Sequence, residues 1–511
     1  MKVLFIDLDK LESKIEYVNY KTFDYAVFLH KDIYKTYEKE AFNENNIVIF
    51  FLGHYVNEET INGLYLYKSP TTNTLEINLS KHLGKYLKLA DLDLIAIKGK
   101  SKKKYFLIIE NDNVVFLEDE ITENIFDKYN NYYNTIKDIY GNNEFTILLN
   151  GLGSKYTEYG NLIMFEKNKM HILKGSVGSV LYKAHNITGI SIGGGSEIDG
   201  DILYLDLNLE KGFHENIVDI YNYYKGEIPI MNFQNIYLKK EYRHKIFEEF
   251  ILPIINESKF PFIPFNQYGP FLGIFDKKLI EELVYLINSY GLDTIYTSFI
   301  LGGVIEGIYN NNISLETNYR PVFDIKKVDF SISENNYNVA KYLIENIAIG
   351  RLSNLGYNIK IVGTKFSIKD YLFYIPMGEN YGSIIDPYLS LGLILPNLIN
   401  DKYFSYHLLY SYSPEEMANM NFSKLKYTYT INNVGRTKII NNYYHRDSLV
   451  DIYEYSKRSN SLPNYYESKR SLDTYNYILR RDNITIEPSY YWNKYYQLYK
   501  EYIYYSKASV V

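Results

Sequence analysis

The chain has 511 residues, and 55 Lys and Arg against 61 Asp and Glu give a formal charge of −6. With 46% hydrophobic and 23% charged residues a large core can form, which excludes wholesale disorder, and the mild acidity offers no electrostatic footprint for nucleic acid. The absence of cysteine excludes disulfides, thiolate zinc sites, cysteine nucleophiles and cysteine-ligated iron–sulfur clusters together. At about 150 residues per domain, two to four domains are expected.

The first segment, Met1-Lys2-Val3-Leu4-Phe5-Ile6-Asp7-Leu8-Asp9, carries charge within seven residues, so it predicts a strand and not a signal sequence. The longest apolar-leaning stretch, Ile384 to Ile399, is interrupted by Asp386, Pro387 and Pro396, short of the roughly 20 apolar residues of a membrane span. A cytoplasmic protein is expected. The 58 tyrosines are spread along the whole chain and suit strands and surfaces alike, so they argue for compositional bias more than for stacking platforms. Zero Cys and 7 Met also suit a heat-adapted protein.

Residues 1 to about 197 are rich in strand patterns: Val48–Leu52, Leu94–Ile97, Tyr105–Ile109, Val114–Leu117, Thr146–Leu149 and Ile187–Ile192. Lys98-Gly99-Lys100-Ser101 and Glu110-Asn111-Asp112-Asn113 are turn signals between them. Lys102-Lys103-Lys104 is expected at a hairpin tip, solvated and not gripping a polyanion. Gly193-Gly194-Gly195-Ser196 is expected to be a turn at a domain boundary, with an anion nest the lesser alternative. Helical spacing begins later. Lys277 to Tyr290 places Leu279, Ile280, Leu283, Leu286 and Ile287 on one face, with Asp276 as N-cap and Gly291 as the stop. Further helices are expected over 296–309 and 338–349, and Pro463 breaks helical stretches within 446–471. No internal repeat is visible. His244 and Glu248 share an i, i+4 face, but without a third ligand a surface ion pair is the expectation.

Four separated segments resemble the tungsten-containing aldehyde:ferredoxin oxidoreductases. Lys68-Ser69-Pro70 followed by Leu87-Lys88-Leu89-Ala90-Asp91-Leu92-Asp93-Leu94-Ile95-Ala96-Ile97-Lys98-Gly99-Lys100 is similar to that family's "KSP … LKFAGYDAIVVEGKA". Leu173-Lys174-Gly175-Ser176-Val177-Gly178-Ser179-Val180 resembles "GRGGVGAV", Met231-Asn232-Phe233-Gln234 resembles "KNFQ", and Gly291-Leu292-Asp293-Thr294-Ile295-Tyr296-Thr297 resembles "GLDTIST". The resemblance covers roughly residues 40–310; the last third matches poorly beyond Tyr495-Tyr496-Gln497-Leu498-Tyr499-Lys500. It implies an α+β fold, with a β-rich N-terminal domain over 1–197, a mostly helical middle domain over 198–370 and a mixed, helical C-terminal domain over 371–511. The family oxidises aldehydes to carboxylates at tungsten held by two pterin dithiolenes and passes electrons through an iron–sulfur cluster to ferredoxin.

Part of that machine is missing from the sequence. The cluster needs four thiolates, and there are none. For the pterins, the resemblance implies Asn78, Lys174, Gly175, Gly178, Gly291, Leu292 and Asp293 as the retained cofactor contacts. The family's arginine in GGRYN becomes Leu64, and the glycines of NSGG are lost in Asn78-Leu79-Ser80-Lys81. Lys174 keeps the charge of the GRGG arginine but not its bidentate fork. The two carboxylates of the family's GPEYE map onto Pro261 and Ile263, which cannot move a proton. His407 is the nearest candidate for the family's later histidine, and a lone histidine among Tyr and Leu is more often structural. The family's ExxH metal motif becomes Glu282-Leu283-Val284-Tyr285, without the histidine. No metal site is expected, and no cofactor beyond the tungstopterin or molybdopterin that the resemblance implies. A homodimer or another protein partner is left open, and neither nucleic acid nor membrane is indicated.

A degenerate, non-catalytic member of the family with a binding or assembly role is therefore expected. The alternative is an active tungstopterin oxidoreductase without a cluster. A third reading, an unrelated carbohydrate- or nucleic-acid-binding protein using its tyrosines, is disfavoured by the near balance of acidic and basic residues in 441–511.

Overall fold

The structure, a computed structural model, describes residues 1–53, 63–80, 82–167, 169–173, 175–198, 245–253, 265, 267–315, 320–321 and 330–372, with isolated positions between 415 and 501. The N-terminal part holds two six-stranded sheets. Strands β1 (Lys2–Asp7), β2 (Glu12–Tyr17), β3 (Val48–Leu52), β4 (Gly63–Lys68), β5 (Leu75–Ser80) and β6 (Leu94–Lys98) form the first, in the order β2-β1-β6-β3-β4-β5. Strands β7 (Tyr105–Glu110), β8 (Asn113–Glu118), β9 (Glu144–Asn150), β10 (Leu162–Glu166), β11 (Lys169–Leu173) and β12 (Ile187–Gly194) form the second, in the order β11-β10-β9-β12-β7-β8.

Adding six to each strand number of the first sheet reproduces the second. In both, the first and last strands pair in parallel, β1 with β6 and β7 with β12, and every other pairing is antiparallel. The helices repeat as well. Helix α1 (Thr22–Phe28) follows the first hairpin of unit one and α3 (Ile125–Tyr140) that of unit two. Helix α2 (Leu83–Leu89) joins β5 to β6, and α5 (Val177–His185) joins β11 to β12; α4 (Leu152–Tyr156) is an insertion in unit two. The domain is thus a tandem repeat of topology that no repeated sequence announces.

Side-chain alternation makes this a layered stack. Leu4, Ile6, Val48, Phe50, Ile95 and Ile97 face inward, onto Leu83, Leu87, Val180 and Leu181 of α2 and α5 and the inward residues of the second sheet. Val3, Phe5, Ile49, Phe51 and Leu94 face outward onto α1, and Phe106, Ile108, Ile147 and Leu149 face outward onto α3. Because the central strands are covered on both faces, they are continuous apolar runs, as in Val48-Ile49-Phe50-Phe51-Leu52. Each such buried aliphatic or aromatic side chain contributes about 1.5–3 kcal/mol relative to exposure.

The helical part follows. Asp276 caps α6 (Lys277–Ser289), its carboxylate accepting from the amides of Lys278 and Leu279 at 2.9 and 3.2 Å. Helix α7 (Thr294–Tyr309) is buried nearly all round, and α8 (Ser333–Ala348) and α9 (Ile359–Lys365) pack against it. Helix α8 begins earlier than the spacing predicts, at 333, because its first turn, Ser333-Glu334-Asn335-Asn336, carries polar residues that hydrophobic periodicity does not register; α7 begins two residues early, at Thr294, just after its Asp293 cap. Among the described residues no helix is long and apolar enough to cross a membrane.

Two sequence expectations change. Lys102–Lys104 does not sit at a hairpin tip, since it links β6 of one sheet to β7 of the other, where Lys103 and Lys104 pair with Glu118 and Glu120 at 2.6 Å each. Gly193 and Gly194 are not a turn but the last residues of β12, buried and paired with β9. A Cβ at Gly194 would collide with the Leu89 carbonyl at the end of α2, so glycine there sets how closely helix and sheet approach.

Candidate functional site

The topological repeat places the links β5–α2 and β11–α5 at equivalent positions, and the stretches that the family resemblance assigns to cofactor binding, 78–81 and 174–178, overlap these links, the first starting within β5 and the second ending within α5. Each link meets the other unit's hairpin. Ser176, which precedes α5, shares a hydrogen bond with Ser69 at 2.9 Å, just beyond β4. His82, which precedes α2, meets Glu166 on β10 and His171 on β11.

Asn78 lies on β5 opposite Tyr65, and Gly175 is held at φ +84° beside it. A Cβ on Gly175 would collide with the Tyr67 hydroxyl and come within 3.3 Å of Glu76 Oε2 and 3.4 Å of Asn78 Nδ2. Tyr67 donates to Glu76 at 3.2 Å, and the Thr72 hydroxyl donates to the other oxygen of Glu76 at 3.1 Å. Burial, then the Glu76 charge, pushes the Tyr67 hydroxyl well above the usual tyrosine range, so it is a permanent donor here.

Gly291, Leu292 and Asp293 connect α6 to α7 and are clamped to residues 159–161. The Asn161 amide donates to the Gly291 carbonyl at 2.7 Å, and the Asp293 amide donates to Tyr159 at 2.9 Å. Gly291 is left-handed at φ +65°, and a Cβ there would lie 2.9 Å from the Gly151 amide. Leu292 is fully buried and bridges to Gly160. Asp293 caps α7 through Oδ1, which accepts the Tyr296 amide at 2.7 Å; Oδ2 faces the Gly175 amide at 3.4 Å. Gly178 lies within α5, pressed against the Asn161 carbonyl and Ser154, so it serves helix packing.

Tyrosines close this corner. Tyr159 stacks on Tyr296 with ring centroids 5.0 Å apart and donates to the Leu355 carbonyl at 2.7 Å. Tyr268 donates to the Thr294 carbonyl, and the Tyr296 hydroxyl accepts the Ile359 amide at 2.7 Å. Burial raises Tyr268 and Tyr296 well above the ordinary value, which keeps both neutral.

The structure thus brings Asn78 and Asp293 to Gly175 and keeps Gly291 and Leu292 in the same backbone clamp, while Gly178 belongs to a packing contact. Lys174, His244, Pro261, Ile263 and His407 lie outside the described residues. Leu64, at the family's arginine position, is buried on the α1 face of the first sheet, on the side opposite Tyr65 and Tyr67. Glu282 accepts from the Tyr337 hydroxyl at 2.7 Å, a link between α6 and α8. Sequence reasoning missed Tyr67, Glu76, His82, Glu166 and His171. None belongs to a motif, and only the crossing of the two units makes them neighbours.

A pterin dithiolene with its phosphate is anionic and needs cationic or N–H donors and open space. The described half of the corner sets the Glu76 and Asp293 carboxylates and the Tyr67 hydroxyl against Gly175, which does not fit the anionic phosphate or dithiolene of such a group, although carboxylates can accept from the N–H groups of a pterin ring.

Residues 3–194 match the family described as aldehyde ferredoxin oxidoreductase, N-terminal domain. An uncharacterised protein of Methanocaldococcus jannaschii is 23% identical over 498 aligned residues, covering 79% of this chain and 78% of the relative. The glyceraldehyde-3-phosphate:ferredoxin oxidoreductase of Pyrococcus furiosus is 23% identical over 510 aligned residues, covering 78% of each chain. Among solved structures, the active-site complex BamBC of benzoyl coenzyme A reductase, bound to 1,5-dienoyl-CoA, superposes with a TM-score of 0.57 at 12% identity, covering 98% of this chain and 92% of that one. Residues 3–194 thus form an aldehyde ferredoxin oxidoreductase N-terminal domain, in a chain that is similar to these relatives along most of its length and has no cysteine.

Proposed function

We propose that this protein is a non-catalytic member of the family, a cytoplasmic pseudoenzyme whose fold is kept for binding or assembly, organised as domains 1–197, 198–370 and 371–511. The observation that carries the reading is the Gly175 corner. The glycine's left-handed geometry is retained, but a tyrosine hydroxyl and two carboxylates stand against it. The phosphate or dithiolene of a pterin would meet like charge there, whereas the tyrosine-filled corner is internally hydrogen-bonded. The chain also has no thiolate with which to hold a cluster, so the family's electron exit has no counterpart.

A second reading is an active tungstopterin oxidoreductase that converts aldehydes to carboxylates and uses another electron acceptor. The alignment along most of the chain with the Pyrococcus oxidoreductase favours it. Purification under anaerobic conditions, from cells supplied with tungstate and molybdate, separates the two. The pseudoenzyme reading expects tungsten and molybdenum far below stoichiometry, no fluorescent pterin after oxidation, and no aldehyde-dependent dye reduction. One equivalent of either metal with two pterins overturns it.

A further inference from the structure

At the junction equivalent to the Gly175 corner, three side chains from three elements converge. His82 precedes α2 in unit one; Glu166 ends β10 and His171 lies on β11 in unit two. The His82 Nδ1 lies 3.0 Å from Glu166 Oε2 and the His171 Nε2 lies 2.9 Å from the same oxygen. The two imidazoles stack with centroids 3.6 Å apart and planes 18° apart. One ligand atom from each residue can be chosen so that all lie within 4.8 Å of one another.

We propose that His82, Glu166 and His171 form a site for one divalent first-row transition-metal ion, of the zinc, cobalt, nickel or iron(II) kind. Two imidazoles and one carboxylate are borderline nitrogen and hard oxygen donors, a set that suits these ions and not calcium or magnesium. A tetrahedral ion with bonds of about 2.0–2.2 Å holds its ligand atoms roughly 3.4 Å apart. The observed 2.9 and 3.0 Å are a few tenths shorter, the spacing expected when N–H protons occupy the place of the cation. The rings must splay from their stack to converge on an ion, and side chains that are 26%, 13% and 25% exposed have the room to do so. The same exposure leaves a fourth position open to water.

The placement gives the ion a task. Its ligands come from both units, so binding ties the start of α2 to the β10–β11 hairpin across the junction between the two sheets. This is the counterpart of the Ser69–Ser176 link on the other side. His82 makes no side-chain cap to α2, so removing its ring does not uncap the helix. This inference concerns a different junction from the Gly175 corner and holds whether or not the protein is catalytic.

The test uses the full chain, stripped with a chelator and titrated with cobalt(II), then zinc(II). With no cysteine in the sequence, any strong visible absorption is free of thiolate charge transfer. The expected result is one equivalent of cobalt with tetrahedral-type d–d bands, displaced by zinc, and a melting midpoint raised by several degrees with metal. His82→Ala and His171→Ala should each abolish the bands and the shift while melting like the metal-free parent, and Glu166→Gln should weaken binding at least tenfold. No saturable binding by the parent, or undiminished binding by both histidine variants, overturns the proposal.

Discussion

The Asp293 carboxylate accepts the backbone amide of Tyr296 at 2.7 Å, three residues on and at the first turn of α7. The acid that the family resemblance assigns to the cofactor is here the N-cap of a buried helix. Asp293→Ala should cost about 0.5–2 kcal/mol of unfolding free energy in a urea titration, and Asp293→Asn, itself a good cap, far less. A loss in the Asn variant as large as in the Ala variant would show that the charge, and not the cap, is what the fold requires.

Gly175 and Tyr67 should show a measurable coupling. Gly175→Ala meets two penalties, a left-handed backbone worth about 1–3 kcal/mol and a collision with the Tyr67 hydroxyl. Tyr67→Phe removes the oxygen that is struck but leaves the backbone penalty and Glu76 short of a donor. The double variant should therefore be less destabilised than the sum of the singles, by about 0.5–3 kcal/mol in a double-mutant cycle. Strict additivity would mean that the two groups do not touch.

How much of this was legible in the sequence follows from what each element depends on. Helix α6 was legible because Asp276, the 3.6-residue spacing and Gly291 are all local signals. Strands β3 and β12 were legible as β-branched and aromatic runs. The repeat of the two units was not, because buried strand positions accept any apolar residue, so Val48–Leu52 and Glu144–Asn150 share a topological place without sharing a pattern. The His82 cluster was illegible for a related reason. Glu166 and His171 are diagonal neighbours across a hairpin, since Glu166 pairs with Lys169, and His82 reaches them only through the junction of the two units. Asn78, Gly175 and Asp293 were found by resemblance, yet that resemblance gave no hint of the Tyr67 hydroxyl between them.

Lys128 and Asp119 form a buried ion pair, with side chains 0% and 5% exposed. Asp119 also accepts from Tyr132 at 2.6 Å and from Thr188, which ties α3 to the second sheet. Burial holds the Lys128 ammonium below its usual range while Asp119 pulls it back up. Lys128→Met should cost about 3–5 kcal/mol by leaving a buried carboxylate without its counter-charge, and Lys128→Met with Asp119→Asn should recover a large share. Calorimetric midpoints of the two variants decide the point. Equal midpoints would mean that packing by the lysine stem, and not charge, dominates.

His30 is fully buried in the π-helical turn after α1 (Leu29–Ile33), and burial lowers its pKa from 6.5 to about 3. Its ring nitrogens make no hydrogen bond of normal geometry among the described residues, and the Leu66 backbone, which favours the charged ring, does not offset the burial. The unfolded chain binds a proton near pH 6.5 while the folded chain resists until about pH 3, so the unfolded state carries more protons throughout that interval. Stability must then fall as pH drops from about 6.5 towards 3, by up to several kcal/mol at roughly 1.4 kcal/mol per unit. His30→Leu should be nearly neutral or stabilising at pH 7.5 and should flatten the loss of unfolding free energy between pH 6.5 and 4. An unchanged slope in that variant would assign the acid sensitivity to other groups.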